Sequence, residues 1–149
     1  KTKRLINLTI VGSFEKPKYL EYLKLLGGKK IKILTNLKDF ELAKLYQNCN
    51  LYVTCDRYLF FGLPIAEAAN FKKPTVALNF AAAKELIETG KTGVVVKSGE
   101  EMKKTLKYLI NNPEVVEKMG RSAFVKVKKE FSWEKIALEY DEFLRQIVG

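Results

Sequence analysis

Five short runs rich in β-branched residues, separated by stretches of helical period, limit what this chain can become. They are "LINLTIVG" (residues 5–12), "IKIL" (31–34), "NLYVT" (50–54), "PTVAL" (74–78) and "GVVVK" (93–97). Strands that are apolar throughout need cover on both faces, and strand–helix–strand spacing of this length implies right-handed crossovers in a parallel sheet. The expected fold class is therefore α/β: a Rossmann-like, three-layer domain with a parallel sheet of about five strands and helices on both faces. A chain of 149 residues with 47% hydrophobic content is long enough for one sizeable core, so residues 1–149 are read as a single domain.

The intervening stretches carry their own punctuation. Pro17 suits a first helical turn and Gly27-Gly28 a stop, with Tyr19, Leu20, Leu23 and Leu26 on one face. In "KDFELAKLYQNC", Leu42, Leu45 and Tyr46 share a side, and Asp39 and Glu41 favour the positive N-terminal end. Ser98 and Glu101 have the spacing of a capping box. Ser132 is the expected N-cap of a last helix whose Trp133, Ile136, Ala137, Tyr140, Phe143, Leu144 and Ile147 recur every three or four residues.

Composition removes several classes of chemistry. The sequence has no histidine, so no mechanism built on an imidazole base operates here, and most zinc sites are excluded with it. Cys49 and Cys55 are too few for a disulfide framework and read as reduced, packed thiols. No apolar run approaches a membrane span and the start lacks a signal-peptide pattern, so a soluble intracellular protein is expected. Of the net charge of +10, residues 1–38 carry +8, with ten Lys/Arg against Glu15 and Glu21. Such a patch suits a nucleotide diphosphate, an anionic lipid surface, a nucleic acid, or simply a solvated face.

In parallel sheets of this kind ligands sit outside the carboxyl ends of the strands, here the loops beginning at Gly12, Thr35, Cys55, Asn79 and Lys97. The third loop leads into "YLFFGLPIAEAA" (58–69), apolar but for Glu67. Pro64 is preorganised for a first helical turn, and Gly62 permits close backbone approach before it. The free N–H groups around Gly62, Leu63 and Ile65, together with the helix dipole, suit a phosphate. Glu67, one turn in, can lean back toward the same crevice and accept hydrogen bonds from a ribose diol. Alternatively it interacts with the helix dipole or pairs with a lysine.

The blocks "LTIVGSF", "NLKDFELAKLYQNCNLYV", "LYVTCDRYLFFGLPIAEAANFKKPTVALNFAAAKELIETGKTGVVV" and "FSWEKIALEYDEFL" span nearly the whole chain in order. Together they resemble the C-terminal, donor-nucleotide-binding domain of retaining glycosyltransferases of the GT-B fold (glycosyl transferases group 1, family 4). The resemblance implies a pair of glutamates with seven residues between them. The second holds the ribose and falls on Glu67; the first contacts the transferred sugar and falls on Leu59, which can neither accept a hydrogen bond nor stabilise positive charge. Asp56, three residues earlier, could substitute if the loop folds back. The family's paired glycines after the fourth strand are replaced by Ala81 and Ala82, with Glu85 keeping the later acidic position. Gly12 matches a glycine lining the donor pocket, and Leu37 lies in the loop against which the base rests.

The resemblance further implies binding of a nucleotide diphosphate sugar for retaining transfer to a carbohydrate or lipid-linked acceptor, with no cofactor and no metal. The expected partners are the nucleotide-sugar donor and an N-terminal acceptor-binding domain. The family also holds the diphosphate with an Arg and a Lys of an earlier strand–helix unit, which is expected to be missing from this sequence. The chain is thus expected to be a piece of a larger two-domain enzyme or a half-length relative, and inactive alone. Lys16, Lys18 and Arg57 are candidates for the missing positive charge. The expected location is the cytoplasm, with the inner face of an anionic membrane as a further possibility. Two other functions remain open: a degenerate nucleotide-sugar-binding module, favoured by Leu59, and a basic interaction domain. No nucleic acid is expected, because the interleaving of aromatic and basic residues that RNA binding uses is missing.

Overall fold

The computed structural model describes residues 6–12, 17–27, 31–58, 61–80 and 82–148. Its elements run β1 (Leu8–Val11), α1 (Pro17–Gly27), β2 (Ile31–Leu34), α2 (Asp39–Asn48), β3 (Tyr52–Thr54), α3 (Leu63–Asn70) and β4 (Thr75–Leu78). They continue through α4 (Ala83–Leu86), β5 (Gly93–Val96), α5 (Gly99–Asn111), α6 (Pro113–Glu130) and α7 (Trp133–Val148). Each of the five β-branched runs supplies one strand, and every strand pairing is parallel. The α/β class is as expected. The strands are hydrogen-bonded as a pair, β1-β2, and a triple, β3-β4-β5, where one sheet of about five was expected. The chain also divides into two compact units, Lys1–Leu45 and Tyr46–Gly149, the boundary falling inside α2.

In the first unit β1 and β2 pair from Leu8↔Ile31 to Val11↔Leu34. The Gly12 N–H carries the ladder one step further by donating to the Leu34 carbonyl at 3.2 Å. Helix α1 forms the crossover between them and buries no residue. At the start of α2 the Glu41 carboxylate accepts from the Lys38 N–H at 2.9 Å, as its place at the positive helix end favours.

The second unit holds the larger core. Along β4 successive side chains alternate between two apolar clusters, as the period of two requires. Ala77 joins Ile65 of α3 and Ala83 and Leu86 of α4 on one face. Val76 joins Val96 of β5, Met102 and Leu109 of α5, and Val116 and Met119 of α6 on the other. This is the covered sheet that the apolar strands demanded. Leu109, Val76 and Val96 lie among its fully buried side chains, each burial favouring the fold by about 1.5–3 kcal/mol.

Local signals in this unit behave as read. Ser98 Oγ accepts from the Glu101 N–H at 3.2 Å, while the Glu101 carboxylate reaches back to the Lys97 N–H at 2.7 Å. Ser132 Oγ accepts from the Lys135 N–H at 3.3 Å at the start of α7. Helix α6 has no counterpart in the periodicity read above, although Pro113 opens it and Val116, Met119, Gly120 and Ala123 are its buried residues. None of the residues of α7 is buried, and its apolar residues are exposed apart from the half-buried Ile136. Among the described residues no helix is long and apolar enough to cross a membrane.

Gly93 and Gly120 are fixed by close packing. A Cβ on Gly93 would stand 2.3 Å from the Thr75 carbonyl oxygen of the adjacent strand. One on Gly120 would stand 2.0 Å from the Lys72 carbonyl oxygen, in the turn that ends α3. Helix α6 therefore lies against that turn by its backbone.

Candidate functional site

The carboxyl end of β3 opens into an ordered turn. The buried Thr54 accepts through Oγ1 from the Asp56 N–H at 3.2 Å. Asp56 Oδ1 in turn accepts from the Tyr58 N–H at 2.8 Å, so this carboxylate is engaged in shaping its own loop. Leu59, like Ala81 and Lys16, lies outside the described residues.

The chain then enters α3 through Gly62, whose φ of 83° and ψ of 37° put it in the left-handed region. This is where glycine is needed: for an L-residue the conformation costs about 1–2 kcal/mol. Gly62→Ala is expected to lower stability by about that amount, read as a reduced midpoint of urea denaturation with an unchanged slope. No side chain caps the helix, and Pro64 occupies its first turn without an N–H to satisfy. The Ile65 N–H donates to the Gly62 carbonyl at 2.8 Å, and the Ala66 N–H shares that acceptor at 3.3 Å.

The expected group of free donors is therefore narrowed. Ile65 is engaged through its backbone and its side chain is 3% exposed, because the first turn closes on Gly62. The N–H groups of Gly62 and Leu63 have no partner among the described residues. They remain the donors that the helix end can offer an anion.

Glu67 is exposed, one turn further along α3. Its Oε2 accepts from the Tyr46 hydroxyl at 2.9 Å. Tyr46, the first residue of the second unit, is buried; its ring stacks on Phe71 at 5.7 Å and meets the edge of Tyr52 at 6.1 Å. Burial, then the hydrogen bond to Glu67, push its phenol well above the ordinary range, so it stays protonated and can only act as the donor in this pair. Helical period puts Tyr46 on the apolar side of α2 and says nothing of its polar tip. The available signal was a tyrosine among leucines, whose hydroxyl needs a partner when its ring is buried.

The other expected residues are distributed differently. Ala82 is 5% exposed and belongs to the core cluster beside α4, so its methyl packs inward. Glu85 is exposed in the single turn of α4. Gly12 and Leu37 belong to the first unit; a Cβ on Gly12 would meet nothing within 4 Å, so packing does not demand glycine there. Arg57 lies over the Phe80 ring at 5.2 Å, at the ends of β3 and β4, whereas Lys18 is simply exposed. Cys49 is half-buried, its thiol pushed up by burial, and Cys55 is exposed where a packed thiol was expected.

Comparison with known proteins bears on the family and the fold. The model for "Glycosyl transferases group 1" matches residues 1–126. A probable sucrose-phosphate synthase of Thermosipho melanesiensis is 30% identical over 115 residues, covering 74% of this chain and 26% of that protein. The capsular polysaccharide biosynthesis glycosyltransferase CapM of Staphylococcus aureus is 25% identical over 153 residues, covering 97% of this chain and 40% of CapM. Among solved structures, Anabaena Alr3699/HepE in complex with UDP-glucose superposes with a TM-score of 0.82 at 23% identity, over 94% of this chain and 41% of that one. The chain thus spans well under half the length of these relatives.

Proposed function

From the premise that the chain belongs to the glycosyl transferases group 1 family, a family of nucleotide-sugar-dependent glycosyltransferases, we propose that it is a donor-binding domain. It binds a nucleotide diphosphate sugar at the start of α3. One observation carries the reading: an exposed carboxylate, Glu67, follows by one turn a glycine-capped helix end whose Gly62 (buried) and Leu63 (exposed) N–H groups have no partner among the described residues. The helix end suits the diphosphate, and the carboxylate suits the neutral ribose diol. Arg57, held over Phe80, adds positive charge at the same ends of the strands. Gly12, Leu37, Ala81 and Ala82 enter this reading through the family resemblance alone.

In the complete enzyme so proposed, the sugar passes with retention to a carbohydrate or lipid-linked acceptor held by a preceding domain. The bond from the anomeric carbon to the diphosphate breaks with its electron pair leaving on the diphosphate, while an acceptor hydroxyl oxygen bonds to that carbon and its proton passes to the departing diphosphate. Donors already aimed at that site stabilise the charge without reorganising, and the protein's share of the chemistry is positioning and electrostatics. A donor-binding domain without its acceptor-binding partner is expected to be inactive. A second reading, a domain that binds the donor without chemistry, is favoured by Leu59, which supplies no carboxylate to the sugar.

Calorimetric titration with UDP-, GDP- and ADP-glucose and GDP-mannose tests the donor site. One nucleobase is expected to bind in preference to the others, competitively with its nucleoside diphosphate. Failure of every nucleotide sugar and every nucleoside diphosphate to bind would remove the reading. To separate the two versions, Leu59→Glu is introduced into a protein with both domains: a gain of transfer activity favours the degenerate module, and full activity of the natural sequence excludes it.

A further inference from the structure

Glu67 lies four residues before Phe71 on α3, so the two side chains follow one another along one helix face. Tyr46 lies along that face. Its ring stacks on Phe71 at an interplanar angle of 14°, and its hydroxyl meets Glu67 one turn nearer the helix start. Tyr52 closes against the ring edge at 66°. The phenol is thus a fixed donor on a buried, clamped ring, aimed at an exposed carboxylate.

We propose that Tyr46 is a positioning residue for nucleotide recognition: its hydroxyl holds Glu67 Oε2 and leaves Oε1 presented to the ribose hydroxyls of a nucleoside diphosphate. The inference rests on the donor-site reading above and deepens it. A glutamate free in solvent samples many rotamers and must be ordered when ligand binds; one already held at 2.9 Å by a buried donor gives up less freedom. The arrangement also divides the acceptor capacity of the carboxylate. One oxygen faces the protein, and the other keeps both lone-pair directions for the diol. Discrimination of ribose from a sugar lacking those hydroxyls then depends on Tyr46 as well as on Glu67, although Tyr46 touches no ligand.

Tyr46→Phe keeps the ring and removes only the hydroxyl. The 149-residue chain is titrated with UDP, GDP and ADP, and whichever binds is compared with its 2′,3′-dideoxy counterpart. Tyr46→Phe is expected to weaken the ribonucleotide by about three- to tenfold, the range of one net hydrogen bond, and to leave the dideoxy nucleotide within about twofold. In a Glu67→Ala background it should add no further loss, since the two residues act as one unit. An equal loss for both nucleotides would reduce Tyr46 to a structural role, and no loss for either would also overturn the inference. If Glu67→Ala weakens binding while Tyr46→Phe does not, only the positioning role falls. If Glu67→Ala has no effect, or nothing binds, the donor-site reading falls with it.

Discussion

Gly120→Ala is expected to destabilise the second unit by about 2 kcal/mol or more and to lower Tm by roughly 5 °C. The added Cβ would stand 2.0 Å from the Lys72 carbonyl oxygen and 2.8 Å from its carbonyl carbon. Both are backbone atoms, so no rotamer change relieves the clash; α6 or the turn after α3 must move. That turn has little freedom to give, since Lys72 already sits at a φ of 58° and its N–H and that of Lys73 are tied to the Ala69 and Ala68 carbonyls at 2.9 Å. The better helix propensity of alanine returns about 1 kcal/mol, which the overpacking outweighs. Gly99→Ala is the control, because a Cβ there meets nothing within 4 Å. Differential scanning calorimetry should show Gly99→Ala near the parent and Gly120→Ala well below it. Equal Tm values for both would mean that α6 does not lie against the Lys72 turn.

The contrast between these glycines shows what the sequence made legible. The strands were readable because a sheet covered on both faces needs unbroken apolar runs, and Val76 and Ala77 alternate across it as the pleat dictates. The capping by Ser98 was readable because it is a local contact of three residues. Close approach between distant segments was not, since nothing near Gly120 in sequence announces the Lys72 carbonyl. The ladders' division into a pair and a triple was equally illegible, because each run reports its own burial and says nothing of its hydrogen-bonding neighbours. At the candidate site the same rule holds. Gly62 and Pro64 announced a helix start, whereas the bond between Tyr46 and Glu67 spans 21 residues of sequence and needed the fold to be seen.

Replacing Glu67 by alanine is expected to weaken nucleoside diphosphate binding by about ten- to a hundredfold. A hydrogen bond to a charged group contributes about 1.5–3 kcal/mol, and 1.4 kcal/mol is tenfold in affinity. The fold should tolerate the change. Glu67 is exposed and alanine favours the helix, while the cost falls on the Tyr46 hydroxyl, which loses its acceptor. Stability is therefore expected to drop modestly, and Glu67→Ala/Tyr46→Phe to recover part of that drop by removing the orphaned donor. Affinity should not recover, because the ribose contact is still missing. This opposite response of stability and affinity distinguishes a ligand-holding carboxylate from one that serves only to satisfy Tyr46. If the double variant recovers both, or if Glu67→Ala lowers stability with nucleotide affinity intact, the carboxylate belongs to the packing of Tyr46 on α3 and the donor must be held elsewhere.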